Sequence, residues 1–274
     1  MAGIRLRIAI LALSLHLAGC APQTNASAID DGIRFERLSA NPVEHGERIA
    51  SVLGCKGCHG KELTGIDWSD ELGTLWTANL TRSVAEHSDE QLLAMIKAGK
   101  RPDRSLMEMP SFLFTQLHDS DLNALIDYLR RIPPNGEVHP PPTIGPKLAA
   151  QIAAGDYLDA AQEVERNGNT WPPDMGPQHA RARYMVRATC AECHKLDLRG
   201  EDPPSPEERR SADLRIVASY DAADFSRLMR TGKAAGNREV GLMSEVARNR
   251  FAHLSDNEVE AIRAYLVEVA RRDP

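Results

Sequence analysis

The chain has 274 residues, a formal charge of −6 and only 5% aromatic side chains. That length suggests two domains, and the aromatic content is thin for two cores built from side chains alone. The acidic balance argues against nucleic acid as a partner and favours docking on basic protein surfaces.

Residues 1–19 read as a signal peptide. Arg5 and Arg7 form a positive start, Ile8 to Leu17 are mostly apolar, and the stretch is too short for a good membrane-spanning helix. It ends Leu17-Ala18-Gly19-Cys20, which resembles the bacterial lipobox, a signal in which the cysteine is lipidated and the chain is cut before it. Cys20 is therefore expected as the lipidated first residue of the mature chain. Cleavage removes Arg5 and Arg7 and no acid, taking the charge from −6 to −8. Residues 20–34 show no clear period and read as a tether.

A first domain is expected over 35–134. Helical signals begin near Pro42, where Gly46, Ile49, Ala50 and Leu53 mark an inward face. They lead into Cys55-Lys-Gly-Cys-His59, and the same pattern returns as Cys190-Ala-Glu-Cys-His194. C-x-x-C-H is the attachment signature of c-type haem. Two thiols on one side of a helical turn add to the two vinyl groups of one haem edge, and the next histidine becomes the proximal iron ligand. A redox C-x-x-C needs a βαβ setting that neither copy has. A four-sulfur zinc site leaves both histidines unexplained. Two covalently bound haems c are therefore expected, through Cys55, Cys58, Cys190 and Cys193, with His59 and His194 on iron. They supply the apolar bulk that the side chains lack.

After His59 comes an irregular stretch containing Trp76 and Asn79. Ser88-Asp-Glu opens a helix and Gly99 ends it. A polar loop carries Met107 and Met109, and Leu122, Leu125, Ile126 and Leu129 mark a last helix. Residues 135–146, rich in proline, read as a stiff linker. The second domain, 147–274, starts with a helical extension around Leu148 to Val164 before its own motif.

The two domains repeat each other. Ala78-Asn-Leu-Thr matches Ala212-Asp-Leu-Arg, and Leu117-His-Asp-Ser-Asp matches Leu254-Ser-Asp-Asn-Glu. Tyr128 follows His59 by 69 residues and Tyr265 follows His194 by 71. Candidate ligands for the far side of each iron lie before the last helix. Met107 and Met109 stand 48 and 50 residues after His59, and Met243 stands 49 after His194. These positions suggest loops.

At this point the chain resembles the class I cytochrome c family, particularly its tandem two-haem periplasmic members, over about 42–133 and 177–272. The motifs that carry the resemblance are the two C-x-x-C-H pentapeptides, Met109-Pro110, and Gly241-Leu-Met243. It implies an all-α fold of two tandem domains joined by the Pro-rich linker. In each, a first and a last helix cross, at Gly46 and Tyr128 in the first and at Ala182 and Tyr265 in the second. The family's Met-Pro pattern selects Met109 over Met107, with Met243 as its counterpart.

The expected function is a carrier of single electrons through two His/Met-ligated haems, not an enzyme. Its partners would be redox proteins: a dehydrogenase, an oxidase or another cytochrome. Its place would be the periplasmic side of a bacterial membrane, held by lipid. One alternative is a cytochrome subunit of a membrane dehydrogenase or oxidase complex. Another is a two-haem peroxidase-like enzyme, which the paired methionines disfavour, and a haem-based sensor ranks last. His45, His87, His118, His179 and His253 are read as surface or helix-end residues. Arg181, Arg183 and Arg187 are read as a solvated face or as contacts to haem propionates.

Overall fold

A computed structural model describes residues 32–201 and 210–272. Cys20, the signal peptide and most of the tether lie outside the described residues. The first helix, α1 (Pro42–Leu53), starts where the Asn41 side chain accepts the Val43 N–H and Pro42 sets the first turn. It stops at Gly54, whose φ of +83° is the left-handed conformation that glycine adopts cheaply. The first motif forms α2 (Cys55–His59). A long turn follows, holding the two-residue strand β1 (Gly73–Thr74), and then α3 (Leu80–Glu86) and α4 (Asp89–Ala98). Ser88 and Gln91 close a capping box on α4, and Gly99 ends it, as the sequence indicates. The short α5 (Ser111–Phe114) and the long α6 (Asp119–Arg130) complete the first repeat.

α1 and α6 cross at Gly46. A Cβ there would lie 1.8 Å from the Ala124 carbonyl oxygen, so only glycine admits this approach. The buried face of the crossing is Ile49, Val52, Leu122, Leu125 and Ile126.

The proline-rich segment does not run free as a spacer. Strand β2 (Thr143–Ile144) pairs antiparallel with β1, Gly73 opposite Ile144. Further back, Asn79 donates to the carbonyls of Asn135 and Glu137 at 2.7 and 3.1 Å, and Asn135 N–H donates to the Thr81 hydroxyl at 3.0 Å. Residues 135–144 thus form a strap across the first repeat.

The extension expected as one helix is two, α7 (Pro146–Ala154) and α8 (Ala160–Asn167). Gly155, left-handed at φ +78°, stops the first, and an Asp159–Gln162 capping box starts the second. α8 packs on α4 and α5 of the first repeat. Ala160 N–H donates to Leu106 O at 2.8 Å, and the Thr115 hydroxyl donates to Gly168 O at 2.6 Å.

In the second repeat α9 (Ala180–Thr189) leads to α10 (Ala191–His194), which carries the second motif from Ala191 onward. A 3₁₀ stretch over Leu214–Ser219, α11 (Ala222–Thr231), a tight hairpin of β3 (Lys233–Ala234) and β4 (Arg238–Glu239), α12 (Leu242–Asn249) and α13 (Asp256–Arg272) follow. α9 packs against α13, with Ala182 and Tyr265 both buried. Apart from these short strand pairs the described chain is helical, as expected.

The described residues form one compact body, and its seam is polar. Arg48 of α1 pairs with Glu258 of α13, and the Glu258 carboxylate also accepts the Glu36 N–H at 2.7 Å. Asp121 receives His45, the Phe35 N–H and the Tyr184 hydroxyl at 2.9, 3.0 and 3.2 Å. Arg187, only 1% exposed, donates to the carbonyls of Phe112, Leu113, Gly168 and Thr170. It is a strut between repeats and not part of a solvated face.

Two candidate haem-binding sites

Each motif histidine is oriented by the same backbone device. His59 Nδ1–H donates to Ala78 O at 2.8 Å, and His194 Nδ1–H donates to Ala212 O at 2.6 Å. A carbonyl only accepts, so the proton sits on Nδ1 and the Nε2 lone pair is left for a metal. Burial also holds both imidazoles below their usual pKa, against the opposing pull of those carbonyls. Both rings are therefore neutral at pH 7 and fit to bind iron.

The loop after each motif repeats as well. Leu63 and Leu198 take left-handed φ of +58° and +63°. Leu80 N–H donates to Leu63 O at 2.8 Å, and Leu214 N–H donates to Leu198 O at 2.9 Å. These bonds bring Ala78 and Ala212 back over their histidines, which is why the matched Ala-Asn-Leu and Ala-Asp-Leu segments recur.

The four motif thiols are not the activated thiols of a redox dithiol. Burial pushes Cys55 and Cys190 up to about 11 and raises Cys58 and Cys193. Arg250 opposes that rise at all four sulfurs. Among the described residues no group of three or more Cys, His, Asp or Glu side chains could hold a metal ion, so the two cysteine pairs do not make a four-sulfur site.

Beside the first motif lies a cavity of about 410 Å³, within the range that small cofactors fill. Cys55, Cys58 and His59 line it together with Met107 and Met109, and apolar groups such as Leu92 and Phe114 form its wall. Met109 also packs against the hydrophobic core, on the loop before Pro110. Trp76 stands in the lining, stacked on His139 of the strap at 4.1 Å between ring centres.

Met243 packs against the core of the second repeat. It lies in the first turn of α12 and not on a loop, because Gly241, at φ +65°, turns the chain directly into that helix. Of the other histidines, His45 binds Asp121, His87 Nδ1–H donates to Ser83 O, and His118 caps α6. None of the five lines the cavity. Sequence reasoning missed His139, the strap and Arg250. Their only sequence signal is a histidine inside a proline run and a lone arginine beside Phe251.

The family described as cytochrome c oxidase, cbb3-type, subunit III matches residues 41–129, and the family described as cytochrome c matches residues 179–270. This chain is a tandem pair of cytochrome c domains. Two such domains imply two covalently bound haem c groups, and the donor set above fits them. Domains of this family are typically periplasmic or otherwise extracytoplasmic, and no helix among the described residues is long and apolar enough to cross a membrane.

The chain is similar to the fructose dehydrogenase cytochrome subunit of Gluconobacter japonicus, 25% identical over 83% of this chain and 52% of that one. It is also similar to the gluconate 2-dehydrogenase cytochrome c subunit of Pantoea cypripedii, 22% identical over 84% of this chain and 60% of that one. It thus spans about half to three-fifths of the length of these relatives.

Proposed function

We propose that this chain is an electron carrier that passes single electrons between redox proteins on the periplasmic side of a bacterial membrane. Cys55, Cys58, His59 and Met109 hold one haem c, and Cys190, Cys193, His194 and Met243 hold the other. The observation that carries the reading is the pair of matched imidazoles, each with its proton fixed on Nδ1 by a backbone carbonyl. Bound haem c supplies an iron that takes up and gives back one electron. The chain's own residues do the rest. The imidazoles hold a constant tautomer, Met109 and Met243 would each offer the iron a sulfur, and the apolar wall of the first cavity would limit the access of water. On this reading the protein carries electrons, and the reaction that yields them belongs to a partner.

The relatives favour a more specific form of this reading: a cytochrome subunit that takes electrons from a dehydrogenase acting on a sugar or sugar acid. Lipid on Cys20 would hold it at the membrane, since each buried CH₂ contributes ~0.8 kcal/mol.

The deciding experiment is haem content with an optical redox titration of the intact protein. Two haems should survive denaturation on each chain, and low-spin spectra should resolve two one-electron steps. Changing Cys55 and Cys58 to Ala should halve the haem. Extractable haem, or a protein loaded with zinc alone, overturns the proposal. For the anchor, mass spectrometry should find acylated Cys20 as the first residue, and an unmodified start elsewhere removes it.

A further inference from the structure

Arg250 stands where the two motifs meet. It belongs to the second domain, between α12 and the turn at Phe251–His253. Its guanidinium reaches into the first domain, where Nε donates to Val52 O at 3.2 Å in the last turn of α1. Nη1 donates at 3.1 Å to Glu192, inside the second motif. Nη2 is buried and meets no hydrogen-bond partner. Room for the group is made by Gly54, the residue before Cys55, since a Cβ there would lie 2.6 Å from Nε. The Phe251 ring covers the guanidinium at 5.8 Å from its centre. Glu192 reaches back in the same way: it sits in the second motif and lines the first domain's cavity.

A strut between domains gains from its hydrogen bonds but gains nothing from a buried N–H left unpaired. That group costs free energy, and so does burying the charge. A positive charge so placed acts on whatever negative charge arrives beside it. Reduction of a haem adds one electron to its iron, and no proton or ligand leaves, so the net charge at that motif falls by one. A fixed cation favours this change, and a fixed anion opposes it, with least screening where the group is buried. Arg250 is 12% exposed and Glu192 30%.

We propose that Arg250 is a shared redox-tuning charge, positioned at the junction of the two motifs to raise the reduction potential of both haems, with Glu192 as its opposing partner. The proposal rests on haem attachment at both motifs, as proposed above.

The test is an optical redox titration of the full-length haem protein at fixed ionic strength. Arg250→Gln should lower both potentials. At a fixed ambient potential the ratio of reduced to oxidised haem should fall on the order of tenfold at each site, about 59 mV for one electron. Arg250→Lys keeps the charge and should stay close to the parent, whereas Glu192→Gln should shift both haems the other way. Unchanged potentials in Arg250→Gln with full haem and low-spin spectra would reduce Arg250 to a strut and overturn the proposal. A shift at one haem only, or Arg250→Lys behaving like Arg250→Gln, overturns it as well. If Arg250→Gln does not hold haem, Glu192→Gln decides, and no rise in potential sinks the idea. Haem content of the parent protein reports separately on the attachment itself.

Discussion

The two domains agree on one side of the haem position and differ on the other. On the histidine side the match is close: Ala78 and Ala212 carbonyls orient His59 and His194, under loops turned by Leu63 and Leu198. On the methionine side the ligand proposed for the first domain, Met109, is a loop residue before Pro110, in a domain strapped by the segment that follows it. The one proposed for the second, Met243, is in the first turn of α12, which follows the β3–β4 hairpin. Fixing a tautomer needs an acceptor at hydrogen-bond distance from Nδ1, and both copies supply the same one, a backbone carbonyl. Presenting a sulfur only requires a supported backbone, and a loop or a helical turn supplies that equally well.

The sharpest break of this comparison is all-or-none. Met109→Ala should open the first haem to carbon monoxide or imidazole, and Met243→Ala the second, as followed by optical spectra, while Met107→Ala should leave both closed. If Met107→Ala is the variant that opens the first site, the ligand is two residues earlier than proposed. Carbon monoxide binding by the parent protein would favour the peroxidase-like reading.

The next effect falls on the seam. Glu258→Gln removes one partner of a buried pair and leaves Arg48 uncompensated, which should cost about 3–5 kcal/mol in denaturant unfolding. A loss under 1 kcal/mol would mean that the domains are stable apart. Smaller again is the contrast between crossings. Gly46→Ala drives a methyl group into the Ala124 carbonyl and should cost about 3 kcal/mol, while Ala182→Gly should cost about 1 kcal/mol through helix propensity. Equal costs would erase the difference between the two crossings. In the same low range is Asn79→Ala, which loosens the strap and should cost about 1–2 kcal/mol. Faster hydrogen exchange should appear at 135–139 and not in the second domain.

The sequence discloses what is local. The motifs, the capped α4 and the paired Ala-Asn-Leu and Ala-Asp-Leu segments all follow from neighbours a few residues apart or from repetition, while the α1–α6 crossing comes only through the family resemblance. It hides what depends on distant partners. Arg48 and Glu258 are 210 residues apart, and Asn79 and Asn135 are 56 apart. Charged side chains read in isolation look solvated, as Arg187 did. A run of prolines looks like a spacer until the asparagine that receives it is seen. For the same reason the halves 21–134 and 145–274, expected from the linker to fold separately with one haem each, now face a cost. Separation would uncover Arg187 and Glu258 and remove the strap from its domain.

The strap also brings late residues to an early site. Val138, His139 and Pro140–Pro142 line the first cavity, yet they lie some eighty residues after the cysteines at its other side. If the chain is exported from its N-terminus, Cys55 and Cys58 would emerge before those residues arrive. The first haem could then be attached while its pocket still lacked one wall, and the wall would close over a group already fixed in place.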